Sequence, residues 1–247
     1  MGADGSGRTA AGSAGLIPTD DKKRIFYGRR KGRALRSGRS RLLEALLPKL
    51  RVDLSRGKID PAALFDRSTA DIWLEVGFGG GEHLAAQARA HPAVGMLGCE
   101  PFINGVGRLL SEIDRDSIPN IRIHPDDARD LVDALPDASV GRVFVLFADP
   151  WRKRRHHRRR FIGPDSIRGL ARVMKDGAEL RLASDQMPLV RWMLFHITGH
   201  GAFEWLAQGP DDWRSRPGDW PQTRYEAKAL ARGETCVYLT FRRRPRK

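Results

Sequence analysis

Trp73-Leu74-Glu75-Val76-Gly77-Phe78-Gly79-Gly80-Gly81-Glu82-His83 joins a short apolar run to a cluster of glycines and then to the polar start of a helical pattern. A glycine-rich turn between strand and helix lets backbone amides approach a ligand closely and aims a helix N-terminus at it. Alone, that marks a nucleotide-type ligand only weakly. The spacing says more, because Gly77, Gly79 and Gly81 follow G-x-G-x-G, whereas a dinucleotide pyrophosphate is cradled by G-x-G-x-x-G. Glu75 sharpens the distinction: its carboxylate would repel a pyrophosphate but could pair with the cationic amino-acid part of S-adenosylmethionine. The stretch therefore predicts a site for that sulfonium cofactor.

Outward from this turn, apolar runs alternate with helical segments. The runs are Ile72–Val76, Val94–Cys99, Ile121–His124, Val140–Phe147, Ala178–Ala183 and Cys236–Phe241. The helical candidates are Gly81–Arg89, Gly105–Ile113, Ala128–Leu135, Ser166–Met174 and Pro188–Ile197. Such alternation marks a parallel α/β sheet, and near-continuous apolar runs such as Val143–Phe147 suit strands covered on both faces. In sheets of this kind ligands lie beyond the carboxyl ends of the strands. Three acids sit there in succession: Glu75, Glu100 where a carboxylate would accept both ribose hydroxyls, and Asp127 where an acid can bond the adenine amino group.

The fourth run ends in Phe147-Ala148-Asp149-Pro150-Trp151, and Arg152–Arg160 then packs seven fixed cations and two imidazoles into nine residues. That density would neutralise several phosphates. Its position beside a carboxylate and an indole argues against a merely solvated loop, since Asp149 can accept from the guanine edge and Trp151 offers a packing surface. His156 and His157 are adjacent and lack accompanying cysteines or carboxylates, so no metal site is expected.

Composition supports a polyanionic partner. Of 247 residues, 44 are Lys or Arg and 30 are Asp or Glu, a net charge of +14. Cys99 and Cys236 stand far apart in apolar runs, which excludes a disulfide framework and a cysteine-based zinc module. No apolar stretch reaches the roughly 20 residues of a bilayer span, and a cytoplasmic protein is expected. Residues 1–18 are mostly Gly, Ala, Ser and Thr and read as a disordered tail. Ten cations between Lys22 and Arg41 form a basic arm, and Leu42, Leu43, Leu46, Leu47 and Leu50 predict a short amphipathic helix, with Ser40 as its N-cap and Pro48 near its end.

Taken in order, Leu74–Gly81, Asp149-Pro150-Trp151 with Lys153 and its basic tail, Ser184-Asp185, and Thr223-Arg224-Tyr225-Glu226 resemble the tRNA (guanine-N7-)-methyltransferases of the bacterial single-subunit type. The likeness spans roughly Ile72 to Phe241. It implies a Rossmann-like class I S-adenosylmethionine-dependent methyltransferase fold: α/β, with a mostly parallel seven-stranded sheet and helices on both faces. It implies methyl transfer to N7 of a guanine in tRNA, in the variable loop. Glu75, Gly77, Gly79, Glu100, Asp127 and Asp149 fall at its cofactor-binding positions, and Asp149 at its catalytic one. Lys153, Asp185, Thr223, Arg224, Tyr225 and Glu226 fall where the substrate is contacted. Ala148 replaces a customary proline, which would loosen the catalytic loop, and Pro101-Phe102 is unusual and would alter the ribose pocket. The expected organisation is a tail at 1–20, a basic arm and short helix at 21–60, and the methyltransferase domain at 61–247, working as a monomer or homodimer with tRNA, without metal or membrane. The alternative is a methyltransferase of the same cofactor acting on another RNA or on protein.

Overall fold

The computed structural model describes residues 26–246. The expected tail and the cations Lys22, Lys23 and Arg24 lie outside the described residues. Strands run β1 Asp71–Val76, β2 Val94–Cys99, β3 Ile121–His124, β4 Val140–Leu146, β5 Met174–Ser184, β6 Phe203–Trp205 and β7 Val237–Arg243. Helices run α1 Ser37–Ala45, α2 Leu47–Leu50, α3 Glu82–Ala90, α4 Ile103–Asp116, α5 Ala128–Ala134, α6 Pro164–Val173, α7 Met187–Gly199, α8 Asp211–Arg214 and α9 Arg224–Ala231.

The seven strands form one sheet in the order β3-β2-β1-β4-β5-β7-β6. The first five are parallel, and β7 runs antiparallel between β5 and β6. Each strand face packs its own core. Leu74, Leu97, Val143 and Leu182 point into one, with Leu131 of α5, Leu170 of α6 and Met193 of α7. Trp73, Met96 and Phe144 point into the other, with Leu84 of α3 and with Val106, Leu109, Leu110 and Ile113 of α4 at helical spacing. The expected mostly parallel sheet with helices on both faces is what forms. Its order reverses between β1 and β4, and that switch point opens the crevice where such sheets bind ligands.

Several local expectations need correcting. Ser40 is not an N-cap: α1 begins at Ser37, with Arg36 in the cap position and no capping side chain, because Ser37 and Gly38 already follow the helical path. Pro48 lies just past the end of α1, in the first turn of α2, where its missing N–H costs nothing. Phe147 lies beyond β4, and β7 runs on to Arg243. The short β6, and α9 as a helix, were not foreseen. Leu42, Leu43, Leu46 and Leu47 do dock on the α4 side of the core. Beyond α2, the Val52 N–H donates to Ile123 O (2.9 Å), laying Arg51 and Val52 along the outer side of β3.

Candidate active site

The carboxyl ends of β1, β2 and β4 open onto a cleft in two adjoining sections. One, of about 280 Å³, is lined by Gly77, Gly79, Phe102, Phe147 and Tyr225. The other, of about 150 Å³, is lined by Asp127, Ala128, Trp151, Arg159 and Phe161. Phe26, Gly28, Glu100, Pro101, Ala148 and Asp149 border both. Gly77 and Gly79 have φ of +71° and +59°, the left-handed region that glycine takes without strain. A Cβ on Gly105 would meet Gly79 O at 2.0 Å, so a small residue in α4 lets the loop seat against it.

Glu100 is the best-held carboxylate. Gly79 N–H donates to its Oε2 (2.8 Å) and Phe102 N–H to its Oε1 (2.8 Å), so the unusual Pro101-Phe102 pair supplies one of its anchors. Burial pushes its pKa up to about 7, the two amides oppose that rise, and the charges of Asp149 and Glu75 add to it. Glu75 is buried and its Oε2 faces His83 Nδ1 at 2.7 Å. Asp127 caps α5 by accepting from Arg129 N–H (3.0 Å), while the Arg129 guanidinium takes most of its remaining acceptor capacity. The residues fit S-adenosylmethionine: amides at the glycine turn, carboxylates at three strand ends, and open space where a Cβ on Gly77 would point.

Asp149 stands solvent-accessible on the wall between the two sections, and the protein around it still desolvates its carboxyl enough to hold the pKa above its ordinary value. Phe147 and Trp151, on either side of it, are non-glycine residues with φ of +51° and +42°. Such strain persists only where the surroundings hold it. Phe147 N–H donates to Ala183 O (2.8 Å) and Arg160 Nε to Pro150 O (2.9 Å), which pins the loop on either side of Ala148 and Asp149. The cationic run is not uniform either. Arg160 is buried against Trp192, Arg152 donates to Gln186 Oε1 (3.0 Å), and Lys153, Arg154, Arg155 and Arg158 remain exposed on or beside a short 3₁₀ turn.

Thr223–Glu226 forms the start of α9. Thr223 caps it by accepting from Glu226 N–H (3.1 Å), and Arg224 N–H donates to Glu82 Oε1 (2.9 Å) at the head of α3. These contacts bring the exposed Tyr225 ring against Gly79, 3.0 Å from where its Cβ would be. Glu226 faces inward, held by Tyr238 Oη (2.6 Å) and Arg216 Nε (3.0 Å). Asp185 bonds Gln186 Nε2 (2.8 Å) and lies 3.4 Å from Arg232.

Residues of the arm, given no cofactor role by sequence, complete the cleft. Phe26, Tyr27, Gly28 and Arg29 line it. Arg159 lies over the Tyr27 ring at 4.2 Å and the Trp151 ring at 5.0 Å. Arg30 pairs with Asp126 (2.7 Å), and Asn104 bonds Gly32 N–H and Arg33 O. The available signal was an apolar triplet, Ile25-Phe26-Tyr27, inside a stretch otherwise of Arg, Lys and Gly.

A family model described as "Putative methyltransferase" matches residues 69–239. A tRNA (guanine-N(7)-)-methyltransferase of Rhodospirillum rubrum is 56% identical over 93% of this chain and 91% of its own length. The enzyme of the same name from Ruegeria sp. (strain TM1040) is 46% identical over 98% and 93%, and that of Brucella melitensis 44% over 89% and 94%. Among solved structures, a 16S rRNA methyltransferase, KamB, aligns with a TM-score of 0.52 at 16% identity, over 72% of this chain and 89% of that one, a likeness of fold. With this cofactor cleft and relatives matched nearly end to end, the chain belongs to the tRNA (guanine-N(7)-)-methyltransferase family.

Proposed function

We propose that the protein transfers the methyl group of S-adenosylmethionine to N7 of a guanine in the variable loop of tRNA, in the cytoplasm where that substrate is found. Asp149 carries the reading: an accessible carboxylate on a strained, pinned loop, bordering the same cleft as the glycine turn. When bound, S-adenosylmethionine supplies a methyl on a sulfonium, whose bonding pair stays with sulfur as the product S-adenosylhomocysteine forms. Guanine N7 holds an in-plane lone pair and no proton, so no general base is required. What the chain must supply is position and compensation for the positive charge that develops on the ring.

Asp149 serves both needs, as an acceptor for the guanine edge and as a nearby negative charge. Glu100 accepts the ribose hydroxyls, Asp127 takes the adenine amino group with the acceptor capacity Arg129 leaves, and Glu75 faces the cofactor's ammonium. Gly77 and Gly79 keep the turn thin enough for close approach. Lys153, Asp185 and the head of α9, with Tyr225 outermost, hold the RNA beside Asp149, and the exposed cations of the 152–160 run neutralise its phosphates. Incubation with unmodified tRNA and labelled cofactor, followed by nucleoside mass spectrometry and mapping of the modified position, tests the reading. 7-Methylguanosine in the variable loop is expected. Label in another base or at another position of the tRNA, or tRNA left unmodified, would overturn it.

A further inference from the structure

Glu75 is a buried carboxylate at the end of β1, its side chain 4% exposed, and among the described residues it pairs with no Lys or Arg. Its recorded polar partner is His83, 1% exposed, in the first turn of α3 just behind the glycine loop. The contact is short, Nδ1 to Oε2 at 2.7 Å. A carboxylate only accepts, so Nδ1–H is the donor. The other ring nitrogen, Nε2, has no hydrogen-bond partner among the described residues. Packing holds the ring instead: it meets Phe144 edge-on at 4.7 Å, and Phe144 is itself wedged against Trp73 at 6.0 Å. The imidazole thus has one polar task and a fixed orientation in which to perform it.

A buried carboxylate whose recognised partner is one imidazole N–H keeps acceptor capacity that a ligand can use. Glu75 immediately precedes Val76 and Gly77, which line the cleft at the carboxyl end of β1. We propose that His83 is a positioning residue for the cofactor: by engaging Oε2 it fixes the Glu75 carboxylate so that the remaining acceptor capacity meets the α-ammonium of S-adenosylmethionine. The inference rests on the reading above that Glu75 faces that ammonium. It assigns His83 a role in affinity for one part of the cofactor, separable from support of the fold.

The separation can be measured with two ligands, S-adenosylhomocysteine, which carries the ammonium, and 5′-methylthioadenosine, which lacks the amino-acid part. Calorimetry on full-length His83→Leu is expected to show S-adenosylhomocysteine weakened by about tenfold or more, the scale of a lost hydrogen bond to a charged group, with 5′-methylthioadenosine within about twofold. His83→Asn, whose amide nitrogen can occupy the place of Nδ1, should recover most of the loss. His83→Gln, whose amide nitrogen falls where Nε2 was, should not, and this pair carries the test if the leucine variant does not fold. Unchanged affinity for S-adenosylhomocysteine, or equal losses on both ligands, would overturn the proposal. Glu75→Gln tells the two failures apart: a selective loss there with none at His83 refutes the positioning role alone, whereas no loss at Glu75 refutes the ammonium contact itself.

Discussion

The two sides of the cleft are built by opposite means. On the side proposed for the cofactor, Glu75, Glu100 and Asp127 are 3%, 8% and 6% exposed, and each is held by a donor from its own neighbourhood. On the side proposed for RNA, Asp149 and Lys153 are exposed and Tyr225 is 46% exposed, and what is held is the loop and helix that carry them, by Phe147 N–H to Ala183 and Arg224 N–H to Glu82. A small, constant ligand can be met by buried charges set in advance. A large polyanion is met by solvated cations on a scaffold whose rigidity lies beneath them.

If that division holds, the largest effect should come from the one carboxylate that belongs to both sides. Asp149→Ala is expected to lower single-turnover methylation by at least about 100-fold, the scale of removing one positioned electrostatic group, while binding of cofactor and of tRNA stays within a few-fold. Asp149→Asn should be intermediate, since an amide keeps an acceptor and loses the charge. A stable Asp149→Ala protein methylating near the normal rate would break the assignment, and a parallel melting measurement identifies loss of fold.

Next in size is Glu100→Ala, expected to weaken cofactor binding by about 1.5–3 kcal/mol with tRNA affinity unchanged in calorimetry. Its pKa near 7 adds a pH signature. Ribose hydroxyls donate to the ionised form, so cofactor affinity should fall as pH drops below about 7, approaching tenfold per unit, and Glu100→Gln should flatten that profile. The free protein responds with the opposite sign. The folded state holds this proton more tightly than the ordinary value of 4.5, so the contribution is fully present below about 4.5 and is lost as pH rises through about 7.

The arm tests the boundary between the two sides. Removing residues 1–25 should only weaken tRNA binding and make its log-log salt slope shallower, by roughly 0.7–0.9 per lost phosphate contact. Removing 1–33 takes Phe26–Arg29 from the cleft as well, and should weaken cofactor binding about fivefold to thirtyfold, the scale of one or two lost contacts near 1 kcal/mol each. Equal cofactor affinity in the two truncations would return the arm wholly to the RNA side. Smallest of all, Arg30→Ala breaks a pair in which Arg30 is 47% and Asp126 33% exposed, and should change thermal stability by less than about 1 kcal/mol.

The same contrast explains what the chain discloses before it folds. Buried strands advertise themselves: Val143-Phe144-Val145-Leu146 is apolar because both its faces are covered, and the acids after β1, β2 and β3 are conspicuous where such runs end. The RNA side was legible chiefly through resemblance, because exposed residues carry no periodic signal. Composition hid differences among like charges, so nothing marked Arg160 as a buried support for Pro150 while Lys153 stays in solvent. Contacts across long stretches of chain were equally silent, among them Glu82 with Arg224 and Tyr27 with Arg159. The three residues of β6 are too few to show alternation, and α9 is recognisable only once Thr223 is seen capping it.

The segment after α2 has a consequence for association rather than for catalysis. By pairing with Ile123, Arg51 and Val52 occupy an edge of the sheet that would otherwise present unpaired backbone donors and acceptors. Free edges of that kind recruit strands from other chains. The segment that follows the arm thus also covers part of the β3 edge. Truncations ending before Leu47 keep that cover, whereas those passing Val52 remove it, and aggregation is the expected result.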